Sequence, residues 1–496
     1  MKKLLAAVLA LTLTAALAAC GGTTAETEAA LTTAQAETET GSTTAQTPAQ
    51  EQPGGTPPQM PSGEGAPAGV PGGSPDGAPG GAPGGAPGGS SEVVYAGATE
   101  ITAAATEDGK TYASTAADES ALMISTADAV TLTDPTVTKS GDSDGGDNCN
   151  FYGQNAALLV KGGGTTTITG GSVTSDASGA NGVFSYGGNG GQNGAAGDGT
   201  TVLITDTVIN TTGDGSGGIM TTGGGVTRAY DLTVTTSGRS SAPIRTDRGG
   251  GSVTVVGGTY TSNGLGSPAI YSTAEITVSG AALVSNLSEG VCIEGLNSVT
   301  LEDCTLTADN TKCNGNATFL DTVMIYQSMS GDAASGTAAF TMTGGKLESK
   351  SGHVFHVTNT DAVITLSGVE IKNSDGENVL LSVCDDGWSG GENSATLKAS
   401  KQMLEGAMLV GSNSTLALEL ADGSAFTGCI GGRITNAAGT VISTEAGEVS
   451  VTLDGTCTWT LTADSYITAF YGDAANVISN GYTLYVGGTA LAGTKE

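Results

Sequence analysis

TITGGSVTS (Thr167–Ser175), TVVGGTYTS (Thr254–Ser262) and TVSGAALVS (Thr277–Ser285) repeat one phrase: a short apolar strand, two small turn residues, then a strand of alternating character. Thr, Val and Ile in alternation, broken by Gly, Asn and Asp, is the pattern of short β-strands. From residue 92 onward a helical period is nearly absent. Anchored on the apolar residue of its last strand, the phrase recurs at Val137, Val173, Ile209, Val234, Tyr260, Leu283, Leu306, Leu347 and Ile371.

A second phrase keeps step with the first: NGVFSY, SGGIMT, SAPIRT, SPAIYS, GVCIEG and TVMIYQ. Its anchors are Phe184, Ile219, Ile244, Ile270, Ile293 and Ile325, with Met123 and Leu159 before them and Phe355 and Leu380 after. Ile209 leads to Ile219, Val234 to Ile244, Tyr260 to Ile270 and Leu283 to Ile293 at one fixed offset, which chance alternation does not sustain. A unit of about two dozen residues whose strands cover their neighbours' open edges stacks as a solenoid, with rungs about 4.8 Å apart. The leucine-rich, calcium-roll and propeller signatures are missing.

These repeats resemble those of right-handed parallel β-helix proteins, the pectate-lyase-like superfamily, over roughly residues 120–384. The resemblance implies an all-β fold, a right-handed parallel β-helix over 92–394, continued by C-terminal β coils or a cap over 395–496. Beyond Ser394 the alternation persists but the phase is lost. LADGSAFTGCI (Leu420–Ile430) and LDGTCTWTLTADSYI (Leu453–Ile467) resemble the terminal coils of pertactin-like surface adhesins. A plain sheet capping the last rung accounts for them equally well.

The 496 residues include 80 glycines and only 4% aromatics, and Lys+Arg 17 against Asp+Glu 49 gives a net charge of −32. Such an acidic balance repels phosphate backbones and excludes nucleic acid as a partner. Lys2 and Lys3, an apolar run from Leu4 to Leu17, then Ala18, Ala19 and Cys20 read as a secretory signal over 1–19. The ending resembles a bacterial lipobox, which implies cleavage before Cys20 and a lipid on its sulfur, the only membrane attachment expected. Residues 20–91, rich in Thr, Ala and Glu and then in Pro and Gly, are expected to stay disordered as a stalk of about 45 Å. The expected location is the outer face of the bacterial cell membrane.

Lengthened spacings mark loops. Residues 139–154 and 308–321 enlarge the corner between the two anchors, and 187–199 and 328–336 the corner after the second. Loops on both sides make the second-anchor strands the expected groove. The residue after each anchor points outward, which gives a column of Arg245, Tyr271, Glu294, Tyr326 and His356, with Asp247 and Arg248 beside it. Fork donors, ring faces and a carboxylate suit an extracellular polysaccharide or a host glycan such as mucin. Stacking of unlike polar side chains on any secreted β-helix is the plainer reading.

Two enzyme readings compete with binding. Polygalacturonase-like hydrolases carry an Asn-Thr-Asp and an Asp-Asp pair, which this chain is similar to at Asn359-Thr360-Asp361 and Asp385-Asp386. The resemblance implies catalytic Asp361, Asp385 and Asp386, but both histidines, His353 and His356, precede the motif. Pectate-lyase-like chemistry needs a carboxylate cluster and a basic residue, and no paired acids surround Arg245 or Arg248. Calcium is the one cofactor the sequence offers: Asp142, Asp144 and Asp147 lie in the Gly-rich SGDSDGGDNCN, which reads equally as a solvated acidic loop. Beyond Cys20, the odd set of Cys149, Cys292, Cys304, Cys313, Cys384, Cys429 and Cys457 is neither a disulfide framework nor a metal site, and leaves one or two bridges open. The expected function is surface attachment or glycan binding without catalysis, with a polysaccharide-degrading enzyme of the same fold as the alternative.

Overall fold

A computed structural model describes residues 93–143, 146–190, 196–388 and 391–496. The chain divides into two units, Met1–Gly73 and Ser74–Glu496, and every described residue lies in the second. The expected signal segment, Cys20 and the stalk lie outside the described residues.

The body is a parallel β-helix. Each rung adds one strand to each of three sheets, which among the described residues hold 13, 14 and 10 strands. In the third sheet the first-phrase anchors form a single file: Val137 pairs with Val173, and Ile209, Val234, Tyr260, Leu283, Leu306, Leu347 and Ile371 follow in unbroken register. From Val137 to Leu347 every member of the file is fully buried, and Ile371 at its end is half-buried. Burial of each aliphatic side chain contributes about 1.5–3 kcal/mol.

The turn before this file explains the "two small residues" of the phrase. Asp134, Gly170, Asp206, Asp231, Gly257, Gly280, Asp303, Gly344 and Gly368 all hold positive φ, between 47° and 69°. Only Gly, Asn and Asp reach that region at low cost. Asp and Gly are also coupled between rungs: a Cβ on Gly257 would lie 2.1 Å from Asp231 Oδ1.

The turn leading into the second phrase is held by a serine ladder. Ser216 N–H donates to Ser241 Oγ at 2.9 Å, and Ser241 N–H donates to Ser267 Oγ at 2.8 Å. Each hydroxyl also donates to a carbonyl of the preceding rung, at Ala177, Gly213 and Gly238. The leading serine of SGGIMT, SAPIRT and SPAIYS thus satisfies backbone groups that no strand pairing reaches.

In the first sheet the anchors are less regular. Ile219, Ile244, Ile270 and Phe355 share one inward file, completed by Val291 and Val323 rather than by Ile293 and Ile325. The turn before Val291 is two residues shorter than its predecessor: seven residues separate Ser262 from Ile270 and five separate Ser285 from Val291, although their Cα atoms are partnered in pairs. Met123, Leu159 and Phe184 face outward, into a small apolar cluster with Ala156 and Met220. Loops cover this sheet, so both of its faces bury apolar side chains and the strands read as continuous hydrophobic runs.

The boundary expected at 394/395 falls inside the strand Asn393–Ser400, and the second sheet runs through it to Ala469–Tyr471. The lost phase belongs to the third sheet, which ends at Glu370–Asn373 and gives way to a four-stranded sheet beginning at Met403. Gln402 bridges the change: its side-chain amide donates to Val369 O and accepts from Val369 N–H, both at 2.8 Å.

Ser241→Ala leaves buried groups unpaired on both sides and is expected to cost about 1–3 kcal/mol in urea unfolding. Ser237→Ala, outside the ladder, is expected to change stability by less than about 0.5 kcal/mol. Equal midpoints for the two variants would contradict the ladder.

Candidate functional site

The outward face of the first sheet carries a cleft of about 630 Å³. Its floor is Arg245, Tyr271, Cys292 and Met324 in one column, with Asp247, Glu294 and Tyr326 in the next. Residues 150–151, 314–317 and 328–332 form its walls, from three of the four loops marked by the spacing, and Trp388 closes one side. The expected single column is therefore two parallel ones, because Glu294 and Tyr326 follow isoleucines that sit one pleat further along. His356 returns to the first column, paired with Met324, but is fully buried and does not line the cleft.

Two ion pairs brace the floor. Arg245 Nη2 donates to Asp247 Oδ2 at 2.8 Å and Nη1 donates to Ser240 O at 3.0 Å. Arg248 pairs with Asp332 at 2.6 Å while its guanidinium lies 4.1 Å from the Phe151 ring centroid, a cation–π contact. Burial pushes the Asp247 carboxyl up to about 6, against the pull of Arg245.

At the centre, Glu294 collects hydroxyls. Tyr271 Oη donates to it at 2.5 Å, Tyr326 Oη at 3.3 Å and Ser330 Oγ at 3.4 Å, and Ser328 Oγ donates to the same carboxylate. Burial raises the Glu294 pKa, and these donors pull it back down. Burial and the Glu294 charge push both phenols well above their ordinary range, so Tyr271 and Tyr326 remain donors at neutral pH. The Tyr326 ring packs 4.9 Å from that of Trp388, whose buried Nε1 has no hydrogen-bond partner among the described residues.

The three aspartates of the polygalacturonase-like resemblance do not come together in the cleft. Asp361 lies on the second sheet and accepts from Thr337 Oγ1 at 2.8 Å. Asp385 accepts from Asn393 Nδ2 at 2.6 Å. Asp386 turns inward to face His356 Nε2 at 3.3 Å and accepts from Thr318 N–H at 2.7 Å. None of them lines the cleft.

The acidic loop is described only in part. Asp142 accepts from Ser178 N–H at 2.8 Å, Asp147 opens the short helix Asp147–Tyr152, and Asp144 lies outside the described residues. Among the described residues no three His, Cys, Asp or Glu side chains are grouped to hold a metal ion. All seven cysteines of the described residues are free thiols.

Several cleft residues escaped sequence reasoning: Phe151, Glu289, Cys292, Met324, Asp332 and Trp388. Cys292 and Met324 lie beside the anchors and emerge once the register is corrected. Trp388, two residues past Asp386, carries no repeat signal. Comparison of the chain with protein-family models, curated proteins and solved structures returns no match.

Beneath the 308–321 loop, Ser382 Oγ lies 2.7 Å from Nδ1 of both His353 and His356, and Phe319 stacks on His356 with centroids 4.6 Å apart. Burial, with His356 adding to it, holds His353 down at about 3 from an ordinary 6.5. On acidification the unfolded chain gains this proton near 6.5 and the folded chain only near 3, so stability falls with pH through that window. His353→Gln is expected to flatten the slope of urea-unfolding free energy against pH between about 6.5 and 4. An unchanged slope would contradict the burial argument. Alkylation of the denatured, unreduced protein is expected to modify each of Cys149, Cys292, Cys304, Cys313, Cys384, Cys429 and Cys457, and a disulfide-linked peptide would contradict the free thiols.

Proposed function

We propose that this chain is an exported, lipid-anchored surface protein whose β-helix body binds glycan without transforming it, in an adhesin-like role. The lipid at Cys20 supplies its membrane attachment, and its partner is an extracellular polysaccharide or a host glycan such as mucin. The observation that carries this reading is the cleft: the rings of Tyr271 and Tyr326 in its floor and of Trp388 at its side stand among Arg245, Asp247 and Glu294 on the solenoid face. Ring faces stack on the apolar faces of sugars, and fixed polar groups read their hydroxyls.

The carboxylates of the floor support binding over chemistry. A carboxylate accepts about four hydrogen bonds, and Glu294 already takes hydroxyls from Tyr271, Tyr326, Ser328 and Ser330. Asp247 is held by Arg245 and by Arg248 N–H. Both are structural acceptors rather than groups poised over a reacting bond.

A polysaccharide-degrading enzyme is the second reading, and one observation favours it. Burial pushes the Asp247 carboxyl up to about 6, toward the range of a general acid, and it shares the cleft with Glu294.

A glycan array on the full chain tests the first reading. Trp388→Ala and Tyr326→Phe are expected to leave folding intact; the first weakens the strongest glycan signal about ten-fold or more, from the loss of a stacking face. Unchanged binding by Trp388→Ala would remove the cleft as the site. Reducing-sugar release from the bound glycan, abolished by Asp247→Asn, would instead establish the enzyme.

A further inference from the structure

The charges of the cleft are unequally paired. Arg245, the arginine that lines the cleft, is spent on Asp247 at 2.8 Å, and Arg248, which does not line it, is spent on Asp332 at 2.6 Å. Glu289 and Glu294 also line the cleft and form no ion pair among the described residues. Glu294 is saturated by hydroxyls, whereas Glu289 accepts from Ser288 Oγ and from the Cys292 thiol beside it. Burial, then the Glu289 charge, push the Cys292 thiol and the Asp321 carboxyl well up. Asp321, buried to 1% exposure, has an unpartnered Oδ1, and Trp388 has an unpartnered Nε1–H.

We infer that the cleft selects glycans bearing free amino groups, with the sugar ammonium on Glu289 and the ring against Tyr326 and Trp388, and that it rejects uronate-rich polysaccharides. This rests on the glycan-binding reading above. A charge-assisted contact of N⁺–H with a carboxylate is roughly twice as strong as a neutral hydrogen bond. A polyuronate, by contrast, brings carboxylates against two unneutralised ones within a chain of net charge −32.

Calorimetric titration of the full chain with hexamers of glucosamine, N-acetylglucosamine and galacturonic acid separates the outcomes. The glucosamine hexamer is expected to bind at least ten-fold more tightly than the acetylated one, and the galacturonate hexamer not measurably. Glu289→Gln, close to isosteric, is expected to abolish the preference while keeping the affinity for the acetylated hexamer. On the unaltered protein the preference is expected to shrink as ionic strength rises from about 0.05 to 0.5 M. Equal binding of the first two hexamers, or tighter binding of galacturonate, overturns this inference and leaves the glycan reading standing. Binding of no hexamer overturns this inference, and an array without signal overturns the glycan reading as well.

Discussion

Parallel pairing in strict register is the constraint on which the rest of the molecule depends. Each strand of the third sheet finds its partner one rung away, so that Ile209, Val234, Tyr260 and Leu283 stack directly above one another. A slip of one residue would turn the whole file outward. The register survives because the turns cannot drift: Asp or Gly at positive φ fixes one corner and the serine ladder fixes another. A polar file works in the same direction. Lys139 occupies the place taken by Ser175, Thr211 and Thr236 on later rungs, and it is fully buried, with Nζ donating to Ala116 O at 2.8 Å.

A rigid face with interchangeable outward positions is what turns this scaffold into a site. The inward files keep the coil closed whatever stands outside them, so the outward columns of the first sheet are free to carry Arg245, Tyr271, Cys292 and Met324. Length is added where it does not disturb pairing, at the corners, and the added loops become walls. Residues 150–151 and 314–317 wall the cleft, and Asp332 comes from a third loop to neutralise Arg248. The burial these loops create raises the Asp247 and Glu294 carboxyls and keeps both tyrosines as donors.

The fold was legible in the sequence wherever one face of a strand is buried and the other is wet. That holds for the third sheet, and the whole file from Val137 to Ile371 could be read from alternation alone. It failed for the first sheet, whose outward face is apolar under the loops at Met123, Leu159 and Phe184 and whose turn before Val291 is shortened. The groove was legible because chain length itself marks its loops. Its contents were only half legible: Arg245, Asp247, Tyr271, Glu294 and Tyr326 came from the repeat. Trp388 and Glu289 stand in turns and loops, where no period constrains a residue. His356 was misplaced because nothing in the sequence says that Phe319 and Asp386 fold over it.

Cross-linking between rungs tests the in-register coil most directly. Thr235 and Thr261 are Cα partners, and Thr261 is in turn the partner of Val284, so Thr235 and Val284 stand two rungs apart, about 9.6 Å. A disulfide spans only about 4.4–6.8 Å between Cα atoms. The account predicts that Thr235→Cys with Thr261→Cys oxidises to an internal disulfide seen by peptide mass mapping, and that Thr235→Cys with Val284→Cys does not. The reverse pattern, or no cross-link in either pair, would contradict it.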